Sequence, residues 1–207
     1  MKYLKILGLA AIAAMALMAV AVGSASATTL EVGGVTKNEA VTITGSLKAG
    51  TSAILKDTFG FSSNKCAESH VHGSTTSSTT AGNTTHNSYT GEELTGPLTE
   101  KEEGLRFRSC EREPVTVHNS GILHIKWISG TNGSVTSSAA EVTTGSPFGT
   151  LNCKTGTGTP IGTLTGVAKT TEHATMDINA TLNCSGVSSK WEATYTVTTP
   201  TGLGVVS

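Results

Sequence analysis

The chain predicts an all-β fold: an antiparallel β-sandwich of immunoglobulin- or jelly-roll-like architecture, stapled by disulfides, yet not a true immunoglobulin domain. Three observations predict it. Apolar and polar residues alternate with a period of two through long stretches of the second half, as in antiparallel sheet with one face on a core. Clusters of Gly, Asn, Ser and Pro punctuate those stretches, as turns require. Four cysteines follow what reads as an export signal, which points to a disulfide framework.

The export signal comes first. Lys2 and Lys5 give a basic start, and Ile6 to Val22 form an apolar run of 17 residues. Ala25-Ser26-Ala27 then supplies the small-residue pattern cut by signal peptidases. Residues 1–27 are read as a signal peptide and Thr28 as the mature N-terminus, in a secreted or cell-envelope protein. An uncleaved anchor would need about 20 apolar residues. No cysteine marks the cut for lipidation and no hydrophobic tail closes the chain, so no membrane attachment is expected after cleavage. Residues 28–207 are read as one β-sandwich domain with a polar Ser/Thr-rich insertion at about 69–103.

Composition narrows the partners. Losing Lys2 and Lys5 with the leader moves the formal charge from −1 to −3, so nothing resembles the basic footprint of a nucleic-acid or anionic-membrane binder. Only 14% of residues are charged and 4% aromatic. Val, Ile, Leu and Ala must therefore fill the core, and disulfides gain weight.

The strands follow in order. Thr29 to Val32 and Ala40 to Leu47 read as strands with Gly33-Gly34 between them, and Ser52 to Phe59 as a third. Ser69 to Gly91 is a Ser/Thr/Asn/His tract, followed by Glu92, Glu93, Glu100, Glu102 and Glu103. It has little to bury, so short polar strands with a mobile tip are expected, tolerant of deletion between His72 and Gly91. Leu123, Ile125 and Trp127 share one strand face; Met176, Ile178, Ala180, Leu182 and Cys184 share another; Trp191, Ala193, Tyr195 and Val197 a third. Asn132-Gly133 and Ser185-Gly186 are placed in turns. The core face of this half is taken to be filled, so recognition is assigned to the 69–103 loop.

Four cysteines allow three pairings. Thr150-Leu151-Asn152-Cys153 and Thr181-Leu182-Asn183-Cys184 repeat a tetrapeptide at strand ends, and in each Leu and Cys share a face. That favours Cys153–Cys184, leaving Cys66–Cys110 to clamp the base of the polar tract. The rival is Cys110–Cys184 around Trp127, which mimics an immunoglobulin domain but has Leu182 where that pattern expects Tyr.

Candidate chemistry is thin. Ser62-Ser63-Asn64-Lys65 and Lys154-Thr155-Gly156 match S-x-x-K and K-T-G, but penicillin-binding chemistry needs the first on a helix, and none is predicted. His70-Val71-His72 would place two imidazoles and Glu68 on one strand face, so His70 and His72 are the metal candidates, with His86, His118 or His124 completing a site. The glutamate cluster reads as a solvated face, and the Thr/Asn rows at 175–183 and 194–198 as the wet side of a sheet. No catalytic residue and no cofactor are assigned.

The leader with Thr28 to Thr36, the segment Gly145 to Cys153, and Trp191 to Val205 resemble a family of uncharacterised secreted proteins of soil actinobacteria with many paralogues per genome. The resemblance implies a small exported four-cysteine β-protein and transfers no activity, cofactor or site residue. The reading is a secreted, non-enzymatic structural or binding protein with an extracellular or cell-surface partner. The alternative is a small extracellular metal-binding protein or hydrolase using the 68–103 tract. Mass spectrometry of the exported protein should find Thr28 at its N-terminus; an intact Met1 to Ala27 segment overturns the leader assignment.

Overall fold

The computed structural model describes residues 28–57, 61–76, 83–86, 104–147 and 149–207. The leader and the glutamates at 92–103 lie outside them. Sixteen strands and no helix are present among the described residues, and all pairings are antiparallel. The all-β prediction holds.

One layer is continuous. β14 (Thr175–Cys184) and β15 (Val187–Thr199) form a ten-pair hairpin. Met176, Ile178, Ala180, Leu182 and Cys184 face inward, while Asp177, Asn179, Thr181 and Asn183 are exposed. Ser185 (φ 54°) and Gly186 (φ 86°) close the hairpin, the double positive φ of the two-residue turn that matches strand twist. The other edge of β15 carries β3 (Thr42–Leu47) and then β4 (Ala53–Lys56). Both pair onward with β5 (Ser62–Thr76). Residues 48–52 are thus an excursion between two parts of one strand position.

The facing layer is split. Residues 175–178 of β14 pair with β13 (Thr159–Thr165), whereas 183–184 pair with β12 (Gly149–Lys154). Likewise residues 74–76 of β5 pair with β6 (Asn83–His86), and 66–72 with β7 (Gly104–Cys110). The upper half runs from β13 through β10 (Asn132–Ser138) and β9 (Ile122–Ser129) to β6, so hydrogen bonds join the layers at both edges. Counting β3 and β4 as one position, eight strands close the ring. The lower half continues from β12 to β11 (Glu141–Ser146) and β8 (Thr116–Asn119). A small sheet of β16 (Leu203–Val206), β1 (Thr29–Val32) and β2 (Val35–Lys37) buries Leu30, Leu203 and Val205.

Both disulfides sit where the lower half meets the continuous layer. Cys66 of β5 is bonded to Cys110 of β7, and Cys153 of β12 to Cys184 of β14; each pair is in direct cross-strand register. β12 is otherwise held to β14 by one further pair, Lys154 opposite Asn183. Asn64 supplies a further tie, since its buried amide donates to Glu113 O (2.8 Å) and Thr144 Oγ1 (2.9 Å). Its Oδ1 accepts from the Lys65 and Arg112 amides.

Three expectations change. Ser69 to Thr76 is no insertion: it is the second half of β5, hydrogen-bonded to β3 on one edge and to β7 and β6 on the other. Hydrogen bonds replace apolar area there. Buried Ser69 donates to Arg106 O (2.7 Å), and buried Thr75 exchanges bonds with Val41, its amide donating to Val41 O and its Oγ1 accepting from Val41 N. Gly33-Gly34 is a hairpin turn in its own right, leading into β2, which the hydrophobic pattern missed. The turn expected at Asn132-Gly133 is made by Gly130 (φ 55°) and Thr131. Gly133 lies inside β10, where a Cβ would stand 2.7 Å from Ile125 Cγ2 and 3.0 Å from Val205 Cγ2.

Two outcomes follow. Excising residues 72–91 removes the last third of β5 and all of β6, so the variant should lose its cooperative thermal transition. Converting Cys153 and Cys184 to Ala should cost up to about 4 kcal/mol; hydrogen exchange should speed up first in β11 and β12 and last in β10 and β13, and uniform acceleration would contradict the split layer.

Candidate functional site

Between the layers, beneath the split, lies a cavity of about 100 Å³. It exists because inward positions around it carry small side chains: Ser137 on β10, Ala140 before β11, Thr155 after β12 and Ala180 on β14. Large side chains line the rest. Val71, Leu105, Leu123, Met176, Leu182 and Trp191 point into it and stay only half-buried. An inward-facing residue in a sealed core would lose nearly all its exposure, so the cavity communicates with solvent. Met176, Ile178, Leu182, Trp191 and Tyr195 do form the core face, as expected, but leave this opening in it. No alternation pattern distinguishes a packed inward face from an open one. The signal that could have found the cavity was the 4% aromatic content, too little large surface to fill so many strands.

The floor is rigid. Phe107 meets Trp191 edge to face, with ring centroids 4.9 Å apart and planes at 79°. The Cys153–Cys184 bridge packs with Leu55, Leu151, Leu182 and Trp191. Tyr195 presents its ring to the cavity and donates its hydroxyl to Ser69 Oγ (2.8 Å), which in turn donates to Arg106 O. Burial pushes the Tyr195 phenol well above its ordinary value, against a smaller opposing effect of the Ser69 bond. At the rim, the Lys154 ammonium bonds Glu141 Oε1 (2.9 Å), which also accepts from Asn152 Nδ2 (2.9 Å). The Lys154 bond, then the Asn152 bond, holds the Glu141 carboxyl below the usual range.

Of the sequence candidates, Lys154 and Thr155 of the K-T-G match border the cavity; the others lie elsewhere and do not converge. His70 is buried on β5 opposite Arg106, and His72 Nδ1 pairs with Thr44 Oγ1 at 2.9 Å. Glu68 Oε1 accepts from Ser109 Oγ. His118 pairs with Thr143 Oγ1, and His124 lies on β9. Among the described residues, no three His, Cys, Asp or Glu side chains gather closely enough to hold a metal ion. Ser62 and Lys65 lie on an extended strand, so no helical turn sets the lysine over the serine; Lys65 pairs instead with Glu111 (3.1 Å). Among the described residues no helix is long and apolar enough to cross a membrane.

Compared with known protein families, curated proteins and solved structures, the chain matches none.

The buried phenol gives a pH test. Its folded pKa is raised, so its contribution is whole below the ordinary value of about 10 and declines as pH rises above it. Tyr195→Phe should cost about 1 kcal/mol at neutral pH. It should also lose less stability than the parent protein between pH 9 and 11, read by denaturant unfolding at each pH.

Proposed function

We propose that this is a secreted, non-enzymatic binding protein of the cell exterior whose ligand is a small apolar molecule held between the two layers. The observation that carries the reading is the cavity. Unfilled space beside large inward side chains costs stability, and four small residues maintain it where larger ones would close it. A closed ring of eight strands has an interior that side chains just fill or that holds one small ligand. An engineered apolar cavity of about 150 Å³ binds benzene, and this one is of comparable scale.

Export rests on the leader read at 1–27, and the two disulfides suit an oxidising compartment. The resemblance to secreted actinobacterial proteins agrees with that destination and adds no activity. The metal-protein or hydrolase alternative has weaker support, because His72 is engaged by Thr44 and no three ligating side chains gather among the described residues.

The mature protein should bind iodobenzene, a benzene-sized heavy-atom quencher, saturably and quench Trp191 emission as it does so. Ala180→Phe, or Ala140→Phe should the first not fold, fills the cavity and should abolish the quenching while preserving the melting transition. Iodobenzene binding that is non-saturable, or equal in the filled variant, rejects the reading.

A further inference from the structure

The cavity wall is apolar apart from Lys154 and a few hydroxyls, and two of these belong to buried serines. Ser120 is 4% exposed and accepts a hydrogen bond from Leu105 N at 2.9 Å. Among the described residues its own hydroxyl proton has no acceptor. Ser137 is 2% exposed and meets Thr155 Oγ1 at 3.4 Å, longer than a sound O–H···O bond. Thr155 Oγ1 is already engaged by Ala140 N at 2.8 Å. Buried hydroxyls ordinarily deliver their protons, because a donor withdrawn from water without a partner is costly. Here two donors face one cavity with no protein acceptor at good distance.

Charge at the site is balanced. Among the described residues Lys154 is the one charged residue lining the cavity, and Glu141 holds it at 2.9 Å. An ionised ligand would have to break that pair or lie unpaired against apolar walls, which is strongly unfavourable. Size is limited too: about 100 Å³ takes a frame of about six heavy atoms, judged against the benzene-binding cavity of about 150 Å³.

We propose, building on the binding reading above, that the ligand is a neutral carbonyl compound: a small apolar frame with one acceptor oxygen, which Ser120 and Ser137 select by donating their hydroxyl protons to it.

The test compares cyclopentanone with methylenecyclopentane, in which a CH₂ group replaces the oxygen at nearly constant shape. Both are titrated into the full mature protein by calorimetry or amide chemical shifts. The readout is the ratio of the hydrocarbon Kd to the ketone Kd. Ser137→Ala and Ser120→Ala should each lower this ratio about three- to tenfold, one net hydrogen bond converted to affinity. Because Ser120 also caps Leu105 N, Ser137→Ala decides the matter if Ser120→Ala does not fold. An unchanged ratio overturns the proposal while leaving apolar binding intact, the hydroxyls then serving bound water. Cyclopentanecarboxylate binding as tightly as the ketone overturns the requirement for a neutral ligand. Binding of neither neutral probe overturns this proposal together with the reading beneath it.

Discussion

The structure depends on how the lower half of the facing layer is fastened. The upper half is closed by backbone hydrogen bonds at both edges, through β13 on one side and β6 on the other. The lower half has no such closure: β7 and β8 are not paired with each other, and β12 touches β14 over two residue pairs. Besides the β5–β7 ladder and the backbone bonds Glu111 N to Lys65 O and Ser185 N to Asn152 O, two covalent bonds and one asparagine fasten it. Cys66–Cys110 anchors β7, Cys153–Cys184 anchors β12, and Asn64 binds the chain at Glu113 and Thr144 on the far side. A disulfide acts on the unfolded ensemble regardless of local strand pairing, so it suits a site where the ladder is short.

This fastening permits an open interior. Between β12 and β13, residues 179–182 of β14 have no partner on that edge, and the cavity lies inside. Were the two halves of the facing layer one continuous sheet, larger inward residues could interdigitate across the split. Instead Ser137, Ala140, Thr155 and Ala180 meet there, and the aromatic pair Phe107–Trp191 props the layers apart. Stability is held at the edges, which frees the middle from supplying it.

The strands that read most clearly in the sequence are those whose burial is hydrophobic. Met176 to Cys184 and Trp191 to Val197 have their apolar residues inward, and Ser185-Gly186 turns between them. The repeated Thr-Leu-Asn-Cys placed both sulfurs on the Leu face, where Cys153 and Cys184 now meet. What stayed hidden is what hydropathy does not measure. β5 read at most as thin polar strands of an insertion because Asn64, Ser69, His70 and Thr75 are polar, yet all four are buried. Their hydroxyl and amide bonds go to residues as distant as Tyr195 and Thr144, and nothing local announces those partners. β2 is three residues long, too short to show a period. The candidate site was illegible for a related reason: a cavity is a property of several strands at one level, whereas alternation describes one strand at a time.

Among the described residues, β7 and β8 each have one unpaired edge, with a consequence for the molecule in crowded surroundings. An open strand edge presents a row of unused donors and acceptors that another chain can adopt as a template. Proteins commonly blunt such edges with lysine or proline, but with 14% charged residues this chain has few charges to place. Here the two edges face each other across the seam, and Leu105 N spends its proton on Ser120 rather than offering it outward. Two facing edges thus stand in for charge as the device that leaves less open backbone to a passing chain, with a serine as the latch.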